Sequence, residues 1–363
     1  MINDKNSVKS NGASKIRIAI NGFGRIGRQA FKIALTKPEL QVVAINDLTE
    51  PDVLANLLKY DSVYGVYDKP VSFDTKKEKA NPLISSAGTL TVDGRKTPIF
   101  AEKDPAMLPW RDLNVDVVLE STGRFITTEL ASAHLKAGAK KVIISAPAKD
   151  DGITPTFILG VNSDQYKGQN VISNASCTTN CITPVAAILH SKFGVKKMMM
   201  STIHALTVEQ NLVDGPPPPL HKDLRRMRAA GFNITPTSTG ASIAATEVIP
   251  ELKGEFGGIA FRVPVACGSL SDFTALLNKR TTVEEVNNAF IEMAKHPMWK
   301  NILEVTTDPI VSSDIIGNPH SAVVDLSLTQ VVDGDMVKVV AWYDNEFGYA
   351  NRFVEQAILI GKE

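Results

Sequence analysis

The stretch KIRIAINGFGRIGRQAFKIALTKPELQVVAIND, residues 15–47, decides the fold. Residues 15–21 form an apolar, β-branched run that reads as a buried strand. Residues 27–36 carry a helical pattern that Pro38 stops, and residues 40–47 read as a second buried strand. Strand, helix and strand in so short a span make a βαβ unit with a right-handed crossover. Gly22, Gly24 and Gly27 stand between the first strand and the helix as G-x-G-x-x-G. The first glycine permits a tight turn, the second lets a pyrophosphate approach the backbone, and the third lets the helix pack close to the sheet. The helix start then presents free N–H groups and the positive end of its dipole to the phosphates. Asp47 closes the second strand, where a carboxylate can bind both hydroxyls of an adenine ribose and repel a 2′-phosphate. The following LTEPD has no arginine to accept such a phosphate, so the pattern favours NAD over NADP. An ordinary glycine turn, with Asp47 capping a loop, would not call for this strand–turn–helix context.

The alternation continues with VDVVLESTG (115–123) and KVIISAPA (141–148) as strands. TTELASAHLKAGA between them reads as a helix ending near Gly138. Alternating strands and helices predict a parallel, doubly wound, Rossmann-type sheet over residues 15–176. After VISNASCTTNC the character changes. MMMSTIHAL (198–206), GGIAFRVPV (257–265), SLSDFTALL (269–277) and residues 322–343 look like longer strands, the last with a hairpin signal at Asp333-Gly334. Thr282 and Glu285 make a capping box before the helix VNNAFIEMAKH. Residues 177–344 are therefore expected to form an α+β domain, a mainly antiparallel sheet with helices on one face. Residues 345–363 read as an amphipathic helix, residues 1–14 as a disordered tail, and the prolines at 216–219 as a loop.

Composition bounds the function classes. A chain of 363 residues, 44% hydrophobic and 21% charged, suits two soluble domains with a core each. The formal net charge is zero, which gives no electrostatic argument for a nucleic-acid or membrane-surface partner. No apolar run approaches the roughly 20 residues of a membrane span, and the polar start MINDKNSVKSNGAS lacks the apolar core of a signal peptide. Three cysteines, Cys177, Cys181 and Cys267, are too few and odd in number for a disulfide framework. They point to a reducing, cytoplasmic setting.

Cys177 lies in SNASCTTNCITPVAAILH, and the apolar spacing from Ile182 predicts a helix starting near it. A thiolate at a helix N-terminus is stabilised by the dipole and free N–H groups. The flanking Ser176, Thr178 and Thr179 add donors suited to an oxyanion or phosphate. A lone cysteine is more often buried and inert, but this setting is polar. Cys181, one turn later, reads as a packing residue, since no histidine or cysteine nearby completes a metal set. His204, at the end of a strand in STIHALT, is placed to act as a base on a nucleophile at a helix start; by pattern alone it could equally be structural.

With these residues in view the chain resembles the glyceraldehyde-3-phosphate dehydrogenase family, the phosphorylating enzymes of glycolysis. INGFGRIGR, INDL, KYDSVYG, ESTGRF, GAKKVIISAPA, ISNASCTTNC, HKDLRR, STGAS, FRVP, PIVSSD and WYDNEFGY match in order, over about residues 15–363. The resemblance implies that Cys177 attacks an aldehyde and His204 serves as base. Oxidation by NAD gives a thioester, which inorganic phosphate then cleaves. It implies that Ser176, Thr178, Thr207, Arg226, Thr239, Gly240 and Arg262 face the substrate and inorganic phosphates. Among Arg225, Arg226 and Arg228, Arg226 is chosen. On the cofactor side it implies Arg25, Ile26, Lys103, Ser145 and Asn345 beside the glycines and Asp47. Asn345 would hold the nicotinamide carboxamide, so the C-terminal helix should return to the first domain. A homotetramer is implied, with no metal.

Some positions depart from the family's pattern. Glu209 stands where Thr or Asp is usual near the substrate phosphate, so it needs an arginine partner. Ile243 replaces a common Lys, and Ala266-Cys267-Gly268 replaces a Pro-Asn-Val-like stretch. Two other readings share these residues: an erythrose-4-phosphate dehydrogenase, and a non-catalytic binding protein on the same fold. STGAS favours the glyceraldehyde enzyme over the first, and the presence of Cys177 and His204 speaks against the second.

Overall fold

The computed structural model describes residues 14–76, 78–79, 84–216 and 223–362. The tail expected over residues 1–14 lies outside the described residues except for Ser14, and so does the proline loop beyond Pro216.

The first half of the chain comprises β1 (Ile16–Asn21), α1 (Arg25–Ala34), β2 (Leu40–Asn46), α2 (Pro51–Lys59), a small ladder of β3 (Tyr60–Asp61) and β4 (Gly65–Val66), then β5 (Val71–Asp74), β6 (Gly88–Val92), β7 (Arg95–Phe100), β8 (Val117–Glu120), α3 (Thr128–Lys136), β9 (Lys141–Ile144) and β10 (Val171–Ser173). Eight strands form one sheet in the order β10-β9-β8-β1-β2-β7-β6-β5. The strands from β10 to β7 are parallel. The sheet is not parallel throughout, however, because β5, β6 and β7 pair antiparallel at one edge. Among the described residues no helix separates these three strands. Asp93 and Gly94, both at positive φ (51° and 75°), close a hairpin between β6 and β7.

The second half comprises α4 (Cys177–Phe193), β11 (Val195–His204), β12 (Thr235–Ser238), α5 (Ala241–Val248), β13 (Phe256–Arg262), β14 (Ser269–Leu277), α6 (Val283–Lys295), β15 (Leu303–Thr306), β16 (Ala322–Asp325), β17 (Gln330–Val332), β18 (Met336–Tyr343) and α7 (Phe347–Gly361). Its sheet runs β12-β13-β11-β14-β18-β16-β15, with β17 added to β18. Most pairs are antiparallel, but β11 with β13 and β15 with β16 are parallel. The expected continuous strand over residues 322–332 is broken after Asp325. That carboxylate accepts from the N–H (3.2 Å) and Oγ (2.6 Å) of Ser327 and turns the chain into a short 3₁₀ segment.

Helices α4, α5 and α6 cover one face of this sheet. Ile182, Val185, Leu189, Ala245 and Phe290 pack there against Met198, Met200, Phe273 and Val339 in one buried cluster. Alternation along the strands sends Met199, Ile259 and Met336 to the other face, where they are exposed. The α6 start has the expected capping box between Thr282 and Glu285. Helix α7 buries Ala350, Phe353, Val354, Ala357 and Ile360 in the core of the first sheet. Each of the larger of these side chains contributes about 1.5–3 kcal/mol when fully buried, enough to keep the helix docked there. This brings Asn345 and its neighbours beside the glycine turn.

Candidate active site

The glycine turn divides its labour as the spacing implies. Gly22 adopts φ +92°, and a Cβ on it would lie 2.8 Å from the backbone of Ser121 and Thr122. A Cβ on Gly27 would lie 2.0 Å from the Gly22 carbonyl oxygen. A Cβ on Gly24 would meet nothing within 4 Å, so this is the open side of the turn. Gly24 is the N-cap of α1, which leaves the N–H groups of Arg25, Ile26 and Gly27 at the helix start free of intrahelical partners. Arg25 can contribute only its main chain, because its guanidinium is held by Asp61 (2.7 Å) and Glu346 (2.5 Å). Asp47 accepts from the Phe23 N–H at 2.7 Å, which fixes the carboxylate beside the turn while leaving it partly exposed. Lys103 is exposed just beyond β7, next to Glu102, whose main chain pairs with Asn46. Ser145 follows β9 and is half-buried. The buried Asn345 accepts through Oδ1 from the Gly268 N–H (3.1 Å) and Ser269 Oγ (3.0 Å), so these bonds leave its amide donors to another partner. An NAD pyrophosphate, ribose and carboxamide fit these three groups by the chemistry of their donors and acceptors.

Cys177 is the first residue of α4, and Ser176 is its N-cap, accepting from the Thr179 N–H at 3.1 Å. The Cys177 sulfur lies 3.4 Å from Nε2 of His204, the last residue of β11. Nδ1 of His204 lies 2.7 Å from the Ala205 carbonyl oxygen, which can only accept. Nδ1 also lies 3.1 Å from Arg262 Nη1, which can only donate; in the tautomer whose Nδ1–H donates to Ala205, Nε2 faces the thiol as a free base. Burial pushes the His204 imidazole down to about 3, and the nearby Arg262 guanidinium adds to this. Burial also pushes the Cys177 thiol up to about 11, although Arg262 and the N–H groups of Thr178 and Cys177 pull the other way. The helix start does stabilise a thiolate, but burial outweighs it. These shifts favour a thiol and a neutral imidazole at rest, a pair set for proton transfer.

A cleft of about 810 Å³ opens over this pair and is lined by Thr207, Glu209, Arg226, Thr239, Gly240 and Arg262 as well as Ser176 and Thr178. Of the three neighbouring arginines, Arg226 is buried and faces the cleft, whereas Arg228 pairs with Asp214 at the surface and Arg225 is exposed. Thr239 and Gly240 lead into α5, and a Cβ on Gly240 would touch nothing, which marks another open backbone edge. Arg262 donates to the Thr207 hydroxyl (2.6 Å) and the Ala205 carbonyl (3.1 Å). Glu209 has the arginine partners its position demands, Arg226 at 2.9 Å and Arg262 at 3.5 Å. Burial opposes its charge, but Arg262, the Thr207 hydroxyl and Arg226 together hold the carboxyl below the usual range. The Thr178 hydroxyl is braced from the core side. It bonds Tyr343 Oη at 3.0 Å, and Tyr343 also bonds Thr202 at 2.8 Å. The Thr178 hydroxyl and N–H both favour a thiolate on Cys177.

Two supporting residues have no signature in the sequence. Tyr343 braces Thr178 and packs edge-on to His204, with ring centroids 6.0 Å apart. Ala175 adopts φ +53°, a left-handed conformation that costs a residue with a Cβ about 1–2 kcal/mol. It is held by Tyr349 of α7, whose hydroxyl donates to the Ala175 carbonyl at 3.0 Å. Sequence reading assigns such residues to the core, because their contacts come from segments more than a hundred positions away. Among the described residues no cluster of His, Cys, Asp or Glu could hold a metal, and no helix is long and apolar enough to cross a membrane.

A Rossmann-type domain joined to a thiol–imidazole pair in an arginine-lined cleft defines a dinucleotide-dependent dehydrogenase with a cysteine nucleophile. The comparisons specify the family. The glyceraldehyde 3-phosphate dehydrogenase NAD binding domain model matches residues 16–128, and the corresponding C-terminal domain model matches residues 176–345. The chain is 49% identical over 350 residues to glyceraldehyde-3-phosphate dehydrogenase 1 of Bacillus subtilis, covering 96% of this chain and 99% of that protein. It is 50% identical over 354 residues to the Mycobacterium tuberculosis enzyme of that name, with the same coverage, and 51% identical over 344 residues to that of Priestia megaterium, covering 94% and 97%. This chain belongs to the glyceraldehyde-3-phosphate dehydrogenase family.

Proposed function

We propose that this protein oxidises D-glyceraldehyde 3-phosphate to 1,3-bisphosphoglycerate with NAD and inorganic phosphate, through a thioester on Cys177. The observation that carries this reading is the 3.4 Å contact from Cys177 Sγ to Nε2 of His204 at the floor of the arginine-lined cleft. As the sulfur adds to the aldehyde carbon, Nε2 takes the thiol proton. Thiol ionisation and carbon–sulfur bond formation are thereby coupled. The N–H groups at the start of α4 stabilise the oxygen of the tetrahedral adduct. Bound NAD supplies the hydride acceptor, held by the glycine turn, Asp47 and Asn345. Hydride loss from the adduct leaves an acyl thioester, which inorganic phosphate cleaves to acyl phosphate and free thiol. Arg226 and Arg262, with Thr207, Thr239 and Gly240, serve the two phosphates, because a guanidinium is always charged and binds oxyanions bidentately.

Acid-quenched single turnover without inorganic phosphate tests this. A glyceryl adduct on Cys177, discharged by added phosphate, is expected; Cys177→Ser should form none while still binding NAD. A higher kcat/KM with erythrose 4-phosphate would overturn the substrate. Normal NAD binding with no adduct would make the chain a binding protein on an enzyme fold. We further take it to act in the cytoplasm as a homotetramer. The free cysteines suit a reducing compartment, and the exposed Met199, Ile259 and Met336 on the open sheet face suit burial by another copy.

A further inference from the structure

The arginine corner of the cleft already contains an anion. One oxygen of Glu209, Oε1, accepts from the Thr207 hydroxyl at 2.6 Å and from Arg226 Nη1 at 2.9 Å, and lies 3.5 Å from Arg262 Nη2. Three donors converging on one oxygen is the arrangement a phosphate oxygen would take. The Thr207 hydroxyl has a single proton. Given to Glu209, it leaves the Thr207 oxygen to accept from Arg262 at 2.6 Å, and the Thr207 hydroxyl has no donor left for a ligand. The arginine side chains are only 9% and 11% exposed, whereas that of Glu209 is 27% exposed. Glu209 is thus the member of the cluster that can swing into water while the arginines stay in place. Its neighbour Val208 is 91% exposed, so little packing holds this turn.

We propose that Glu209 is an internal competitor for phosphate, a specificity-setting residue that occupies the arginine corner until the substrate's own phosphate or inorganic phosphate displaces it. This rests on the function proposed above. A ligand must supply enough negative charge to replace a carboxylate that two arginines already hold, so a phosphate dianion succeeds where a carboxylate or neutral hydroxyl does not. Apparent affinity falls by the fraction of time the corner is open. A corner free about one tenth of the time weakens phosphate binding about tenfold.

Glu209→Gln keeps the shape and removes the charge. In steady state it should lower KM about tenfold for whichever phosphate takes this corner, glyceraldehyde 3-phosphate or inorganic phosphate, titrated in separate arms. Glu209→Ala should shift the same KM in the same direction. If both variants raise KM or leave both KM values unchanged, with NAD affinity and thermal midpoint as in the wild type, Glu209 only orients the arginines and the proposal fails. Wild-type activity with glyceraldehyde 3-phosphate separates this from failure of the functional reading. Should that activity be absent, sulfate titration of the thermal midpoint still decides, since Glu209→Gln should bind sulfate more tightly than the wild type and equal binding refutes the competition.

Discussion

Replacing His204 by Asn removes the base that faces the thiol and leaves Cys177 to ionise unaided. Burial holds that thiol at about 11. At about pH 7.5 the thiolate fraction of such a group is on the order of 3 × 10⁻⁴, a penalty of roughly 3,000-fold on any step that needs a preformed thiolate. That lies within the roughly 10²–10⁴-fold contribution of a positioned general base. The assay is the first-turnover burst of NADH absorbance on mixing with aldehyde and NAD, followed from pH 6 to 10. In the wild type the imidazole, depressed to about 3, is neutral throughout this range, so protonation of the free base should impose no acid limb near 6.5. In His204→Asn the burst rate should fall by about three orders of magnitude at neutral pH and then rise about tenfold per pH unit, because thiolate accumulates as pH climbs toward the thiol's pKa. A variant within about tenfold of wild type, or one with a flat pH profile, would refute coupled proton transfer. It would mean that Cys177 is already ionised at rest.

Asp47→Ala should narrow the preference for NAD over NADP, measured as the ratio of kcat/KM values, because the carboxylate that repels a 2′-phosphate is gone. Unchanged selectivity would place the discrimination elsewhere around the adenine ribose. Iodoacetamide on the native protein should modify Cys177 alone, as Cys181 and Cys267 are 0% and 1% exposed. Intact mass and peptide mapping should give one adduct, at a rate rising with pH beyond 8.5; early labelling of Cys181 would contradict its place in the second core.

The first βαβ unit was legible from residues 15–47 because local pattern and global fold agree there: β-branched runs, a glycine turn and Pro38 all act over a few positions. The hairpin of β6 and β7 was equally local, at Asp93-Gly94, but went unread because the alternating strand–helix frame implied continued parallel pairing. The break after Asp325 was hidden for a related reason, since an aspartate that caps a turn looks like any polar residue in a strand. For the candidate site, Cys177 and Asp47 could be picked from chemistry and position, whereas the family resemblance singled out His204 and supplied the arginines.

The sequence by itself determined the residue types and the short-range geometry: the glycines that only a tight turn and close packing require, the thiol at a helix start, the carboxylate at a strand end. Tertiary structure decided how these groups are charged and which are free to act. It set Cys177 at the cleft floor against the buried His204, where desolvation opposes the helix dipole and favours the neutral form of both. It tied Arg25 to Asp61 and Glu346, removing a side chain that spacing alone would have offered to a ligand. It set Glu209 between Arg226 and Arg262. The reason is the range of the forces: turn and strand preferences act between neighbours in sequence, whereas desolvation and ion pairing depend on what the fold brings together from far along the chain.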